Sequence, residues 1–454
     1  MSEQAKPVTE NRMGTMPINK LLISMSLPMM ISMLVQAMYN IVDSVFVARI
    51  GEEALTAVSL AFPLQNLMIA VSGGTCVGVN ALLSRSLGEK NQTDADLAAV
   101  NGIFLAFCSY LAFALFGIFL ARFYFAAQTD NQQIIQYGTD YLRICCIFSA
   151  GIFMEMMMER ILQSTGRTIY NMITQGLGAI INIILDPIMI FGLFGFPKLG
   201  IAGAALATVI GQIIAAALAF YFNMVKNSDI HIRAKGFRPD VRTVKLIYIV
   251  GIPSIIMQSI SSVMTFGINK ILMLFSETAV SVFGIYFKLQ SFIFMPVFGL
   301  NNGMVPIVAF NYGAKNRKRI MDTIKMSVVI SVSIMAVGFL VFQIFPARLL
   351  QLFNASDHML EIGVNALRII SFSFILAGYS IIIGSVFQAL GNGVYSLIVS
   401  IARQLVCILP IAYTLAKLSG LHAVWYAFPL SELMSLLVTT ILFIRIYRKK
   451  IAVL

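Results

Sequence analysis

The chain has 454 residues, 59% of them hydrophobic and only 11% charged, with a mean hydropathy of +0.86. No water-soluble core could bury that much apolar surface, so the composition excludes an ordinary soluble globular protein and points to a polytopic helical membrane protein. The formal net charge of +12 does not mark a nucleic-acid binder, because the positive residues collect in short segments between apolar runs and no domain-sized soluble region remains.

The polar start MSEQAKPVTENRMG precedes an apolar run too long for a signal-peptide core, so a retained first helix is expected. Cut at Gly, Pro and charge clusters, the runs give about twelve spans. They fall near 24–48, 55–84, 97–121, 137–162, 170–194 and 199–223, then 248–274, 279–306, 322–345, 359–388, 394–416 and 421–444. Lys6, Arg12, Lys20, Arg85, Lys90 and Arg167 fall on one side of this layout. The same side takes the cluster from Lys226 to Lys245, Lys315 to Arg319, and Arg445 to Lys450. Arg122, Lys198, Arg348 and Lys417 are scattered on the other. This bias predicts a multi-pass protein of the cell inner (plasma) membrane with both termini cytoplasmic.

The first span carries Gln36, Asn40 and Asp43 at spacings of four and three, on one helical face. A carboxylate at mid-span costs about 2.5–3.5 kcal/mol on insertion scales, and such groups usually face an ion or substrate path. Gln36 and Asn40 could instead serve as polar glue between helices. The fourth span holds Glu155 and Glu159, followed by Arg160, which could neutralise one of them. In the fifth span Asn182 and Asp186 share a face, and Pro187 frees the carbonyl of Ile183. An aspartate, an asparagine and a free carbonyl make a plausible oxygen cage for a proton or a sodium ion. Thr208 in the sixth span is a further candidate oxygen ligand.

One constant offset aligns the two halves of the chain: Pro28 with Pro253, Glu52 with Glu277, Gln65 with Gln290, Gly88 with Gly313, and Gly166 with Gly391. After a short deletion, Gly200 meets Gly420 and Gln212 meets Glu432. Each half holds six spans, so the repeats share one orientation. The expected fold is an all-α membrane protein of two six-helix bundles related as parallel repeats. An N-terminal lobe would span 1–224, a basic cytoplasmic linker 225–246 and a C-terminal lobe 247–454. The polar content differs between halves: Asp43 aligns with Ile268, while Lys270, Lys288 and Arg403 belong to the second.

Cys76, Cys108, Cys145, Cys146 and Cys407 show no zinc or redox spacing, and His231, His358 and His422 lie far apart. An enzyme is therefore not expected.

Taken together, YNIVDSVFVARIG at 39–51, NIILDPIMIFG at 182–192 and MPVFGLNNGMVPIVAFNYGAKNRKR at 295–319 resemble the multidrug and toxic compound extrusion family. The turns QSTGRTIYNM at 163–172 and QALGNGVYSL at 388–397 fit as well. The resemblance covers essentially the whole chain and is nearest the DinF-like branch. It implies a central cavity opening alternately to either side and export of amphipathic organic cations in exchange for protons or sodium. It carries cation-site roles onto Asp43, Asn182 and Asp186, and less directly Thr208, with sodium as one candidate ion there. Glu155, Glu159, Gln65, Gln290 and Asn302 are the candidates for lining a substrate cavity. Small cationic substrates and the lipid bilayer are the expected partners, with no nucleic acid and no cofactor beyond the coupling ion, and the protein is expected as a monomer. The alternative on the same plan is a flippase for a lipid-linked precursor, which would favour a cationic cavity over the acids of the first half.

Overall fold

The computed structural model describes residues 11–232, 237–353 and 355–454, without the side chains of Ser44, Ala48, Glu52 and Leu55. Lys6, Arg233 and Lys235, assigned above to the positive face, lie outside the described residues. The first half is α1 (Ile18–Ala48), α2 (Glu52–Gly88), α3 (Gln92–Phe119), a bent α4 (Gln132–Ile147 and Ala150–Ser164), α5 (Thr168–Phe191) and α6 (Ile201–Lys226). The second half is α7 (Val241–Met273), α8 (Glu277–Gly313), α9 (Arg317–Ile344), α10 (Asp357–Ala389), α11 (Gly393–Ser419) and α12 (Leu421–Ile451). Eleven helices are long and apolar enough to cross a membrane, twelve with the bent pair counted as one span.

The repeat is visible in the helix boundaries. The offset that carries Glu52 onto Glu277 also carries both ends of α2 onto α8 and both ends of α3 onto α9. Short helices Ala121–Ala126 and Pro346–Gln351 correspond in the same way. Even the turns correspond: Lys90 and Lys315 both take left-handed backbone, with φ of 57° and 55°. The connecting segment between lobes is shorter than the 225–246 stretch expected, because α6 runs on to Lys226 and α7 starts at Val241.

Helices α2 and α8, at 37 residues each, are about 55 Å long and overrun the span a bilayer needs. Hydropathy cut them short because Arg85 in α2, and Pro306 and Asn311 in α8, interrupt the apolar run without ending the helix. They form the centre of the molecule: 72% of the apolar window of α2 and 61% of that of α8 is buried, against 28% for α3 and α9. The outer helices turn Leu111, Leu115, Val329 and Val337 outward, as lipid contact requires.

Between the lobes, α2 packs on α7 and α8 packs on α1. Near the end that carries Lys90 and Lys315, the two central helices touch backbone to backbone. A β-carbon at Gly88 would stand 1.9 Å from the Phe310 carbonyl oxygen, and one at Gly313 would stand 2.1 Å from that of Arg85. Only glycine fits either place. A short helix ahead of α1, Arg12–Thr15, lies across this seam. Arg319 Nη2 donates to the carbonyls of Met13 (2.9 Å) and Met16 (2.8 Å), and Asn311 Nδ2 donates to Met13 (3.1 Å).

Candidate functional site

Helix α5 builds the site. Its exposed face is Ile173, Leu177, Ile180 and Ile184, and the opposite face buries Asn171, Thr174, Gly178, Asn182 and Asp186. Those residues recur at three- and four-residue spacing, so the helix carries one apolar stripe for lipid and one polar track for the lobe interior. From Thr174 to Asp186 the track climbs about 18 Å.

At the far end of the track Asp186 is fully buried and Asn182 nearly so. The Asn182 amide is satisfied on both sides when its nitrogen donates to Asp186 Oδ2 (3.2 Å) and its oxygen accepts from the Thr208 backbone N–H (3.2 Å) and hydroxyl (3.1 Å). Across from α5, Asp43 of α1 brings its carboxyl into hydrogen-bond contact with that of Asp186. Asp43 Oδ1 is buried and accepts no hydrogen bond. Four of the sequence candidates, from three helices, thus form one cluster. Gln36 is half-buried on α1, and Asn40 is exposed.

A hydrogen bond between two carboxyls needs a proton on one of them, and two bare carboxylates at that separation repel strongly. A small cation bridging the oxygens removes the repulsion as well. The orphan oxygen of Asp43 and the oxygens of Asp186 and Thr208 are hard donors of the type that suits sodium. The cluster is therefore chemically able to hold one positive charge.

Lower on the track the glutamates take separate places. Glu159 accepts from Thr174 Oγ1 (2.6 Å) and Gln175 Nε2 (3.1 Å). Glu155 lies where Gly178 leaves room, 3.8 Å from where a β-carbon would be. The charge of Arg160 acts on Glu159 without a direct ion pair. Arg160 makes no ion pair among the described residues and turns to the other lobe, 3.5 Å from Asn302 Oδ1. Gln163 Nε2 also donates across the interface, to the Asn302 carbonyl. Asn302 is thus an interlobe contact at the closed seam. Gln65 donates to Tyr141 Oη (3.1 Å) behind the Asp43 cluster, and Gln290 is half-buried on α8.

The second lobe resolves the three basic residues left unplaced by sequence. Lys270 and Lys288 are exposed and lie over the rings of Phe266 and Phe353. Arg403 sits in a π-helical stretch of α11, Ala402–Ile408, and donates to Glu432 on α12 at 2.9 Å.

The MatE family model matches the chain twice, over 28–188 and 253–414, one stretch in each lobe and in the register of the internal repeat. The chain belongs to the MatE family. Among curated relatives, this MatE chain is 28% identical to the multidrug export protein MepA of Staphylococcus haemolyticus (strain JCSC1435), over 91% of each chain. It is 26% identical to an FAD transporter of Shewanella oneidensis (strain MR-1), over 92% of each. Among solved structures, an outward-facing multidrug resistance MATE transporter of the MOP superfamily superposes with a TM-score of 0.91 at 25% identity, covering 99% of both chains. A MOP superfamily transporter from Pyrococcus furiosus Vc1 (DSM3638), described as having a binding pocket of reversed polarity, gives the same TM-score, identity and coverage.

These relatives are transporters, and the MatE chain is a multi-pass membrane transporter, not an enzyme. The all-α, two-bundle fold expected from sequence is the fold found. Two functional neighbours escaped sequence reasoning. Tyr39, on α1, lies within electrostatic reach of Asp43, Asp186 and Glu155. It is one residue from Asn40 and four from Asp43, a spacing that could have drawn notice. Glu432 was visible only as the partner of Gln212 in the repeat, because nothing in sequence links it to Arg403.

Proposed function

We propose that this MatE protein is a secondary antiporter that exports amphipathic organic cations in exchange for protons or sodium by alternating access. The observation that carries the reading is the contact of the Asp43 and Asp186 carboxyls beside Asn182 and Thr208. A cluster that holds together around one positive charge supports a coupling role. Loaded, it draws α1 onto α5. Empty, its carboxylates repel, and α1 moves or bends away from the track. The ion's differential affinity for the two arrangements is what biases the transporter between states.

The acids along α5 suit a cationic substrate. Glu159 is satisfied by Thr174 and Gln175, so Glu155 and the Asp43 cluster are the charges left to meet one. If both termini lie in the cytoplasm, as the charge bias predicts, the Gly88–Gly313 seam closes the cytoplasmic side in the described arrangement. The multidrug export activity named for the staphylococcal relatives agrees with this reading. The flippase alternative lacks support from a cationic cluster within the second lobe, since Arg403 is paired with Glu432 and the two lysines lie over the rings of Phe266 and Phe353.

The test is transport in vesicles of purified protein, with proton and sodium gradients imposed separately and ethidium as the cation. Ethidium movement against its gradient under at least one ion gradient is expected. Movement that is independent of both, or selective for a pyrophosphate-bearing substrate, would overturn the proposal.

A further inference from the structure

At the end of the first lobe that carries the N-terminus, the segment before α1, the α4–α5 turn and the loop after α6 enclose a cavity of about 330 Å³. Its walls include Arg12, Arg167, Tyr170, Ser228 and Asp229, with the exposed Ile169 beside them. Two guanidinium groups thus face one carboxylate. Asp229 is taken up by Arg167, whose Nη2 lies 3.3 Å from Oδ2 and donates to Ser228 Oγ at 3.1 Å. Arg167 Nε is buried with no hydrogen-bond partner. Arg12 makes no ion pair among the described residues. Its guanidinium lies over the turn glycine Gly166, whose φ is +85° and whose β-carbon would stand 3.4 Å from Arg12 Nε.

Burial, and after it the charge of Arg167, lower the hold of Arg12 on its proton, with Asp229 only opposing in part. An arginine stays protonated nonetheless, so this corner keeps one positive charge that no group among the described residues answers as an ion pair. Asp96, on α3, lies 3.5 Å from His231 Nδ1.

We propose that this cavity binds a phosphate group, held between Arg12 and Arg167 and assisted by the hydroxyls of Ser228 and Tyr170. Two guanidinium forks and hydroxyl donors are the chemistry that recognises phosphate oxygens. A phospholipid headgroup and free phosphate share that chemistry. The exposed Ile169 beside the site suits an acyl chain and favours the lipid.

The position gives binding a consequence. Arg12 opens the short helix whose Met13 and Met16 carbonyls are held by Arg319 of the second lobe. A phosphate that ties Arg12 to Arg167 fastens that helix to the first lobe as well, and so favours the closed seam over the open one. The site itself stands whichever ion or substrate the transporter uses.

The experiment uses the full chain in detergent, titrated separately with inorganic phosphate and with short-chain phosphatidylglycerol, reading the thermal midpoint. Co-purifying lipid is read by mass spectrometry. Wild type should be stabilised by the phospholipid, and Arg12→Gln should weaken the apparent affinity by about tenfold or more, the scale of one charge-assisted hydrogen bond. Ser228→Glu keeps both arginines but places a negative charge in the cavity, and should remove the response. Arg448→Gln, at an exposed residue elsewhere, should keep it. A response to inorganic phosphate without one to the lipid upholds the phosphate site and assigns it a soluble ligand. No response in wild type to either probe, or equal responses in wild type, Arg12→Gln and Ser228→Glu, would overturn it.

Discussion

Arg403 and Glu432 meet at 2.9 Å inside the second lobe, at the places that the repeat assigns to Gly178 and Gln212 in the first. In the first lobe the space beside Gly178 is bounded by Ala215, the Gly211 carbonyl and, at 3.8 Å, Glu155. The second fills it with an arginine and supplies the counter-charge from α12. Equivalent positions have thus been put to opposite electrostatic use.

That pair predicts an asymmetric mutational response. Arg403→Met alone strands Glu432, whose Oε2 already lacks a partner, and should cost on the order of 3–5 kcal/mol. The double variant Arg403→Met, Glu432→Leu should recover most of the loss, because apolar replacement of both partners removes the desolvation penalty. Thermal midpoints of purified protein check this. A double variant no more stable than the single would argue that the charges are needed in themselves.

The Asp43–Asp186 cluster makes its own prediction. Asp43→Asn keeps size and hydrogen bonding but removes the negative charge, so ion-driven export should fall to background while protein level and dye binding persist. Asp186→Asn should do the same. The double variant should be little worse than either, since residues acting as one unit are not additive. Near wild-type export by Asp43→Asn would make the cluster structural.

The seam can be tested through its glycines. Gly88→Ala and Gly313→Ala each place a β-carbon about 2 Å from a backbone oxygen, an overlap that neither helix can relieve by a rotamer change. Each should keep this end from closing and stop transport, with the chain still inserted in the membrane. Cross-linking of cysteines introduced across the seam reads the outcome: formation at the wild-type rate would show that the helices need not approach so closely.

Orientation is open to labelling. Single cysteines near Glu52 and Lys198 should react with an impermeant reagent from outside, and those near Lys90, Lys235 and Lys315 only after permeabilisation. Reversal of either group would break the charge-based assignment.

The fold was legible in the sequence because two strong signals agree: the length of the apolar runs and the repeat that pairs Pro28 with Pro253 and Gly88 with Gly313. The Asp43, Asn182, Asp186 and Thr208 cluster was legible for a different reason. Charge at mid-span is rare enough to stand out, and the four-residue spacing on α5 fixes a face. What remained hidden depended on distance between helices. Arg160 follows Glu159 in the chain, yet it points to Asn302 in the other lobe. Arg403 lies far from Glu432 in sequence and 2.9 Å from it in space. Local spacing reports which side chains share a helix face, but not what that face meets.

One break in the symmetry has a mechanical meaning. Helix α4 is bent by 42° between Ile147 and Ala150, whereas its counterpart α10 runs unbroken from Asp357 to Ala389. The acids Glu155 and Glu159 ride on the segment beyond that joint. The first lobe therefore owns a joint next to its charges, while the second has none at the matching place. In a cycle driven from the first lobe, strain would collect at the joint, and the second lobe would pass on the resulting displacement nearly undeformed.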